Sequence, residues 1–154
     1  MRIAFFLTAV FAFGSAVYSA FLFGQAKGRD FWQSPLFSVH LVVMALLAGS
    51  AMMLILDDST PGVRQVFYLS LILHGGLIAF DLTAPHSTHD AKISARSVYR
   101  KNLLFWLGAI AVDILLPLIL IRYDITAAAG QVALIGLLIY EKIWVKVGQI
   151  VPLS

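Results

Sequence analysis

The sequence predicts an all-α integral membrane protein built as a bundle of about five transmembrane helices. Of the 154 residues, 60% are hydrophobic and only 12% are charged, whereas soluble domains carry about 25% charged residues. The apolar residues are also concentrated in long runs that short polar segments separate. We therefore expect a single transmembrane domain that is surrounded by the lipid bilayer and has no nucleic-acid partner.

Five apolar runs have the length of a membrane span, since a helix needs about 20 apolar residues to cross the hydrocarbon core. The predicted spans cover residues 3–24, 35–56, 63–82, 103–121 and 125–144. The short segments 57–62 and 122–124 are predicted to be tight turns. The only long connection, residues 84–102, is expected to be a solvated basic loop.

The first span has an alternative interpretation as a signal peptide. Arg2 supplies a weakly basic start, and Gly14-Ser15-Ala16 has the small residues of a cleavage site. The apolar run continues past these residues to Gly24, and this length favours a membrane span.

The 11 Lys and Arg residues are unevenly divided between the two sides of the predicted bundle. One side carries eight of them: Lys27, Arg29, Lys92, Arg96, Arg100, Lys101, Lys142 and Lys146. The other side carries three: Arg2, Arg64 and Arg122. Because basic residues are enriched in cytoplasmic loops, the richer side is predicted to face the cytoplasm.

Ionisable side chains inside predicted spans are the candidate functional groups, because a charge in the bilayer is costly unless it has a function. His74 and Asp113 lie near the middle of their spans, and Asp81 follows His74 on the same helical face. Pro117 cannot donate to the Asp113 carbonyl, so a kink and a polar opening are expected there. We predict that His74, Asp81 and Asp113 handle protons. The alternative is an interhelical hydrogen bond from a protonated Asp113 without a transport role.

Haem and metal sites are disfavoured by the spacing of the histidines. Axial haem ligands need matched depths, whereas His40 and His74 differ by about 10 Å when depth is counted along the predicted spans at roughly 1.5 Å per residue. His86, His89 and Asp90 come from one short segment without a second anchoring element. The chain has no cysteine, so any Cys-ligated iron–sulfur cluster must lie on a partner.

Aromatic and small residues have predicted structural roles. Near span ends, four aromatic residues are expected to be interfacial anchors: Trp32, Tyr123, Tyr140 and Trp144. Ala45 with Gly49, the pair Gly75-Gly76, and Gly108 are expected to permit close helix packing. Lys27, Arg29 and Trp32 could also form a surface that docks a partner protein.

Several stretches of the sequence, taken in order, resemble the polysulfide-reductase membrane-subunit family of NrfD/PsrC type. The stretches are residues 18–29 (YSAFLFGQAKGR), Phe31-Trp32, Ser34-Pro35-Leu36, residues 45–51 (ALLAGSA), residues 86–101, Phe105-Trp106, Pro117, residues 140–144 (YEKIW) and residues 148–154 (GQIVPLS). The Tyr-Thr-Gly-like motif of the family is Tyr18-Ser19-Ala20 here. The resemblance covers nearly the whole chain, and the order of its motifs is more specific than any one of them.

The resemblance implies a membrane-anchor subunit of a respiratory complex in a bacterial or archaeal cytoplasmic membrane. Family members exchange electrons between menaquinone or ubiquinone and a ferredoxin-like iron–sulfur subunit, often with a molybdopterin catalytic subunit, and carry no haem or cluster themselves. Tyr18 matches a quinone-binding position. In several relatives the docking face is periplasmic, in contrast to the orientation that the basic residues predict.

Members of this family usually have eight or more helices, and the present chain resembles helices four to eight. The resemblance therefore implies that the gene is split, that other membrane subunits supply the missing helices, or that the sequence is incomplete. Two other functions remain open at this point: a proton-coupled transporter or channel subunit, and a structural assembly subunit without its own quinone site.

Overall fold

The computed structural model describes residues 2–26, 29–34, 36–57, 60–83 and 88–150, and every regular element in them is helical. The six long helices are α1 (Arg2–Gly24), α2 (Phe37–Leu56), α3 (Val63–Thr83), α4 (His89–Lys101), α5 (Phe105–Arg122) and α6 (Thr126–Val147). A short 3₁₀ turn, Asp30–Gln33, precedes α2. All of these except α4 and the turn are long and apolar enough to cross a membrane. The predicted five-span, multi-pass architecture is confirmed.

Helix α4 corrects the expectation that residues 84–102 form a loop. Its first turn is capped by Thr88, whose hydroxyl accepts a hydrogen bond of 3.2 Å from the backbone N–H of Ala91. Ala91, Ser94 and Ala95 are buried at helical spacing, whereas Lys92 and Arg96 are exposed. One face of α4 carries small residues and the other carries charges. Neither face gives a strong apolar signal, so the sequence pattern indicates a loop rather than a helix. His86 lies outside the described residues.

Helix α5 changes its winding along its length. Residues Phe105–Leu115 form a π-helix, and Leu116–Arg122 continue as an α-helix. At the junction, the N–H of Leu116 donates to the carbonyl of Ala111, five residues back. Pro117 follows directly. The kink and polar opening expected near Asp113 and Pro117 stay predictions; the structure shows a π-helical segment there, a feature often found at functional sites.

Helices α2 and α6 lie at the centre of the bundle, and α1 lies at its edge. Helix α6 packs against α2 and α5, and α2 packs against α3 and α1. Within the spans, 44% of α6 is buried inside the protein but only 6% of α1. The outward face of α1 is therefore covered by lipid or by another membrane protein.

Glycines bring α6 close to its neighbours. A Cβ atom at Gly130 would lie 2.5 Å from the carbonyl oxygen of Ala51 on α2, and one at Gly108 of α5 would overlap the side chain of Ile139 on α6. The expected close packing at Gly108 is confirmed. The expectation for Ala45 and Gly49 is wrong within this chain, because both are exposed on a face of α2 that no described helix covers.

The turn predicted at residues 122–124 is confirmed. Asp124 adopts a left-handed conformation with φ of 58°, and its carboxylate accepts a hydrogen bond of 2.7 Å from the guanidinium of Arg64. This ion pair joins the start of α3 to the α5–α6 turn. Both side chains are largely exposed, so the pair contributes less than about 1 kcal/mol.

Aromatic side chains fill the opposite end of the bundle. The rings of Phe37 and Trp144 stack with centroids 4.1 Å apart, and Trp32 stacks on Trp144 at 6.1 Å. Trp144 and Tyr140 are buried, so their predicted role as interfacial anchors is wrong. Helix α6 continues to Val147 rather than ending at Trp144, which carries both residues into the bundle. Tyr123 is exposed, as an anchor should be.

Two residues of the predicted docking surface make contacts within the chain. The guanidinium of half-buried Arg29 donates a hydrogen bond of 3.1 Å to the carbonyl of Gly148. Trp32 belongs to the aromatic cluster, and Lys27 lies outside the described residues. A docking role for Lys27, Arg29 and Trp32 stays a prediction.

Candidate functional site

Four buried polar side chains meet between four different helices. His40 comes from α2, His74 from α3, Asp113 from α5 and Tyr140 from α6, and each is at most 5% exposed. Nε2 of His40 lies 2.9 Å from Nδ1 of His74, and Nε2 of His74 lies 2.8 Å from Oδ2 of Asp113. The hydroxyl of Tyr140 lies 3.4 Å from Nδ1 of His40. We call these four residues the buried network.

The apolar pattern of each helix turns these side chains inward. On α3, His74 continues a buried stripe at helical spacing that includes Phe67, Leu71 and Ile78. On α5, the π-helical segment presents Asp113 to α3 and α6. A lone buried polar group in an apolar interior is costly. These four side chains can be buried because they supply hydrogen-bond partners to one another.

The connectivity fixes one consistent set of donors and acceptors when Asp113 is ionised. The Nε2–H of His74 then donates to the Asp113 carboxylate, and Nδ1 of His74 must accept from the Nε2–H of His40. Nδ1 of His40 is left to accept from the hydroxyl of Tyr140. Neutral imidazole has one donor and one acceptor nitrogen, so every hydrogen bond of the network points toward Asp113.

The second oxygen of Asp113 stands apart from this pattern. Oδ1 is buried and has no hydrogen-bond partner among the described residues. Buried polar atoms are normally satisfied by protein or water, so an orphaned carboxylate oxygen marks a place where a proton or a water molecule can be accommodated. The network therefore has a tyrosine end at Tyr140 and a carboxylate end at Asp113.

Gly136 of α6 holds Asp113 in position by allowing the two helices to touch. A Cβ atom at this position would overlap the backbone of Asp113. Gly136→Ala is therefore expected to push α5 away and to lower the free energy of unfolding by roughly 1–3 kcal/mol, as overpacking does. Gly49→Ala is the matched control, because a Cβ atom there meets open space.

Thermal unfolding of the two glycine variants in detergent measures this difference. A clearly lowered melting temperature for Gly136→Ala, with that of Gly49→Ala unchanged, supports the close packing. Equal melting temperatures would contradict it.

The structure corrects the depth argument for the two histidines. His40 and His74 were expected to differ by about 10 Å in depth, counted at roughly 1.5 Å per residue, but their rings are in contact with centroids 4.9 Å apart. The start of α2 lies inside the bundle, because Phe37 stacks on Trp144 of α6. Helix α3, in contrast, continues well past His74 to Thr83. The predicted span ends therefore do not lie at the same depth, and depths counted from them cannot be compared between helices.

Asp81 lies outside the network but next to it. It is half-buried near the end of α3 and lines a small pocket together with Ile78, Phe105 and Tyr140. The predicted shared face of His74 and Asp81 is confirmed by this position. The pocket places a carboxyl group and the tyrosine end of the buried network on the walls of one cavity.

Tyr18, the quinone-binding candidate, is separate from these residues. It is 61% exposed on α1, on the face turned away from buried Ala20. The structure therefore brings together His74 and Asp113, places Asp81 nearby, and leaves Tyr18 on the outer surface of the bundle.

Sequence reasoning did not assign His40, Tyr140 or Glu141 to the site. His40 was considered as an ionisable group inside a span and as a haem ligand, and Tyr140 as an interfacial anchor and as part of residues 140–144 in the resemblance. Glu141 is exposed on α6 directly after Tyr140. The sequence did contain a signal. The apolar run that starts at residue 125 continues past Tyr140 and Glu141, so neither residue has to lie at the end of the span.

Comparisons with known proteins add no assignment. No family model, no curated protein and no solved structure matches the chain.

Proposed function

We propose that the protein is a proton-handling membrane subunit of a quinone-linked respiratory complex. The observation that supports this most directly is the buried network, an unbroken series of hydrogen bonds from Tyr140 through His40 and His74 to Asp113. Titratable groups at this depth are expensive and are retained mainly for function. Two histidines in series with a carboxylate are suited to passing protons, because imidazole can bind a proton on one nitrogen and release it from the other.

A proton moves through the network by successive transfers. It is taken up at Nδ1 of His40, and the Nε2 proton of His40 passes to Nδ1 of His74. The Nε2 proton of His74 then passes to Oδ2 of Asp113. The network has gained one proton and is neutral rather than singly negative. Release of the Asp113 proton to water and a return of both imidazoles to their first tautomers complete the cycle.

Asp81 is the proposed uptake group. Its carboxyl group lies near the end of α3 and shares a pocket with Tyr140, so a proton can reach the tyrosine end of the network from that side of the membrane. Among the described residues, no hydrogen bond or ion pair engages the Asp81 carboxyl. It is therefore available to bind a proton.

The quinone part of the proposal is supported by the sequence resemblance and by the chemistry of quinones. Reduction of a quinone consumes two electrons and two protons, and oxidation of the quinol releases them. A quinone site inside a membrane therefore needs a route for protons as well as one for electrons. Tyr18 is exposed on α1, where helices of another membrane subunit would complete a pocket for menaquinone or ubiquinone.

The proposed electron partner is a ferredoxin-like iron–sulfur subunit, with a molybdopterin catalytic subunit as a further member of the complex. The proposed location is the cytoplasmic membrane of a bacterium or archaeon. In this arrangement the present chain binds no cluster or haem, and its residues serve proton transfer and quinone binding.

Purification through this chain from its native membrane in mild detergent tests the proposal. Mass spectrometry should find iron–sulfur and other membrane subunits together with a bound quinone, and the visible spectrum should show iron–sulfur absorbance. Asp81→Asn in the same complex should slow quinol-coupled proton exchange. A colourless preparation without redox partners, whose chain alone conducts protons in liposomes, would replace the proposal with a proton channel or transporter subunit.

A further inference from the structure

A second groove lies at the basic end of the bundle, between the α4–α5 junction and the end of α6. It has a volume of ≈ 320 Å³. Its polar wall is formed by Asn102, Lys142 and Lys146, and its apolar wall includes Leu104, Ile143 and Ile150. It adjoins the pocket that Asp81 and Tyr140 share, because Ile143 and Val147 line both, but its polar residues are different ones.

The polar wall of this groove is positively charged and uncompensated. Lys142 and Lys146 are four residues apart on α6, so they lie on the same face. Both are exposed, and no carboxylate of the described residues forms an ion pair with either. The side-chain oxygen of Asn102 accepts a hydrogen bond of 3.1 Å from the backbone N–H of Leu104. The amide NH₂ of Asn102 remains as a donor.

The apolar wall continues onto the outer surface of the bundle. Leu104 is 52% exposed and Ile150 is 46% exposed, and neighbouring Leu103 and Trp106 are also exposed. Leu103 and Leu104 directly precede the span Phe105–Arg122, and Ile150 follows the span Thr126–Val147. A ligand that occupies the groove therefore meets cationic donors at its polar end and lipid-facing side chains at its apolar end.

We propose that this groove binds the headgroup of an anionic phospholipid. The phosphate is held by Lys142, Lys146 and the NH₂ of Asn102, and an acyl chain lies along Leu104 and Ile150. Basic pockets between membrane helices recognise anionic headgroups in this way. The amphipathic helix α4, which carries exposed Lys92 and Arg96, lies next to the groove and adds to the positive potential of this end.

Lipid titration of the purified full-length chain tests the site. In a nonionic detergent, native mass spectrometry should show one tightly bound dioleoyl phosphatidylglycerol and no comparable binding of dioleoyl phosphatidylcholine. The double variant Lys142→Gln/Lys146→Gln should bind phosphatidylglycerol about 30-fold more weakly, since each basic residue near a membrane surface strengthens binding about fivefold and the two factors multiply.

The double variant Lys92→Gln/Arg96→Gln is the matched control, because it removes the same charge from the same end of the protein but not from the groove. It should retain the bound lipid, and both variants should keep the melting temperature of the lipid-free protein. Equal weakening by both double variants would overturn the proposal in favour of a diffuse attraction. Displacement of the lipid by inorganic phosphate at similar concentration would also overturn it, in favour of a simple anion site.

Discussion

Replacing Asp113 with asparagine is expected to slow proton transfer through the membrane domain by a factor on the order of 100, because positioned proton-transfer groups typically contribute that much. The amide of asparagine has nearly the shape of the carboxyl group. Its oxygen can still accept a hydrogen bond from Nε2 of His74, which lies 2.8 Å from the carboxylate in the native protein. The variant therefore keeps the hydrogen-bond geometry but cannot bind a proton.

The measurement is quinol-coupled proton uptake and release in the purified complex, followed with a pH-sensitive dye in lightly buffered solution. Asp57→Asn is the matched control. Asp57 is an exposed residue just beyond the end of α2, at the opposite end of this helix from His40. The same chemical change there should leave the rate unchanged.

A native rate for Asp113→Asn, in an assay where the complex is intact, would mean that the buried network has only a structural role. The alternative interpretation of Asp113 would then be correct, with the carboxyl group serving as an interhelical hydrogen-bond partner. If Asp113→Asn slows proton transfer but keeps a normal melting temperature, the variant has lost proton transfer and not folding. Asp57→Asn loses the same carboxyl group elsewhere, so the comparison shows that the location of the group matters.

The spans of this protein could be predicted from the sequence because hydropathy depends on composition, and each span is a run of apolar residues. Residues 63–82 were predicted to form a span, and α3 covers Val63–Thr83. Helix α4 could not be found in this way. Its buried face consists of alanine and serine, which contribute little to hydropathy, and its helical character depends on the bundle that covers this face.

The candidate site could be predicted only in part, because it depends on which helix faces meet. His74 and Asp113 were identified from their depth alone, and they lie in contact. His40 and Tyr140 were missed because their positions depend on how far α2 and α6 extend past one another, which the stacking of Phe37 on Trp144 sets. Such a register between helices is decided by packing and cannot be counted from span ends.

Replacing His74 with leucine is expected to lower the free energy of unfolding by about 3 kcal/mol or more, the cost of leaving a buried, ionised hydrogen-bond acceptor without its partner. His74 and Asp113 are both fully buried, and Oδ1 of Asp113 already has no partner among the described residues. Leucine fills much of the space of the imidazole, so the loss comes mainly from the unpartnered carboxyl group and from His40. Denaturant unfolding in mixed micelles, followed by circular dichroism, measures it.

The double variant His74→Leu/Asp113→Leu separates this cause from simple misfit. With both polar partners replaced by apolar side chains, the buried carboxyl group is gone, and such replacements are often nearly neutral. The double variant should therefore be more stable than His74→Leu alone. The coupling between the two sites should appear as a deviation from additivity of about 0.5–3 kcal/mol, the range for residues in one hydrogen-bond network.

Ser70→Ala, on the same helix as His74, is the control. It removes a buried polar group whose hydrogen bond stays within its own helix. Ser70 is buried, and its hydroxyl donates to the carbonyl of Val66 within α3, so its loss should cost about 1 kcal/mol or less. Additive losses at His74 and Asp113 would show that the two side chains are not coupled in the folded protein. Coupling together with a slow Asp113→Asn variant would mean that the same hydrogen bonds hold the bundle together and carry its protons.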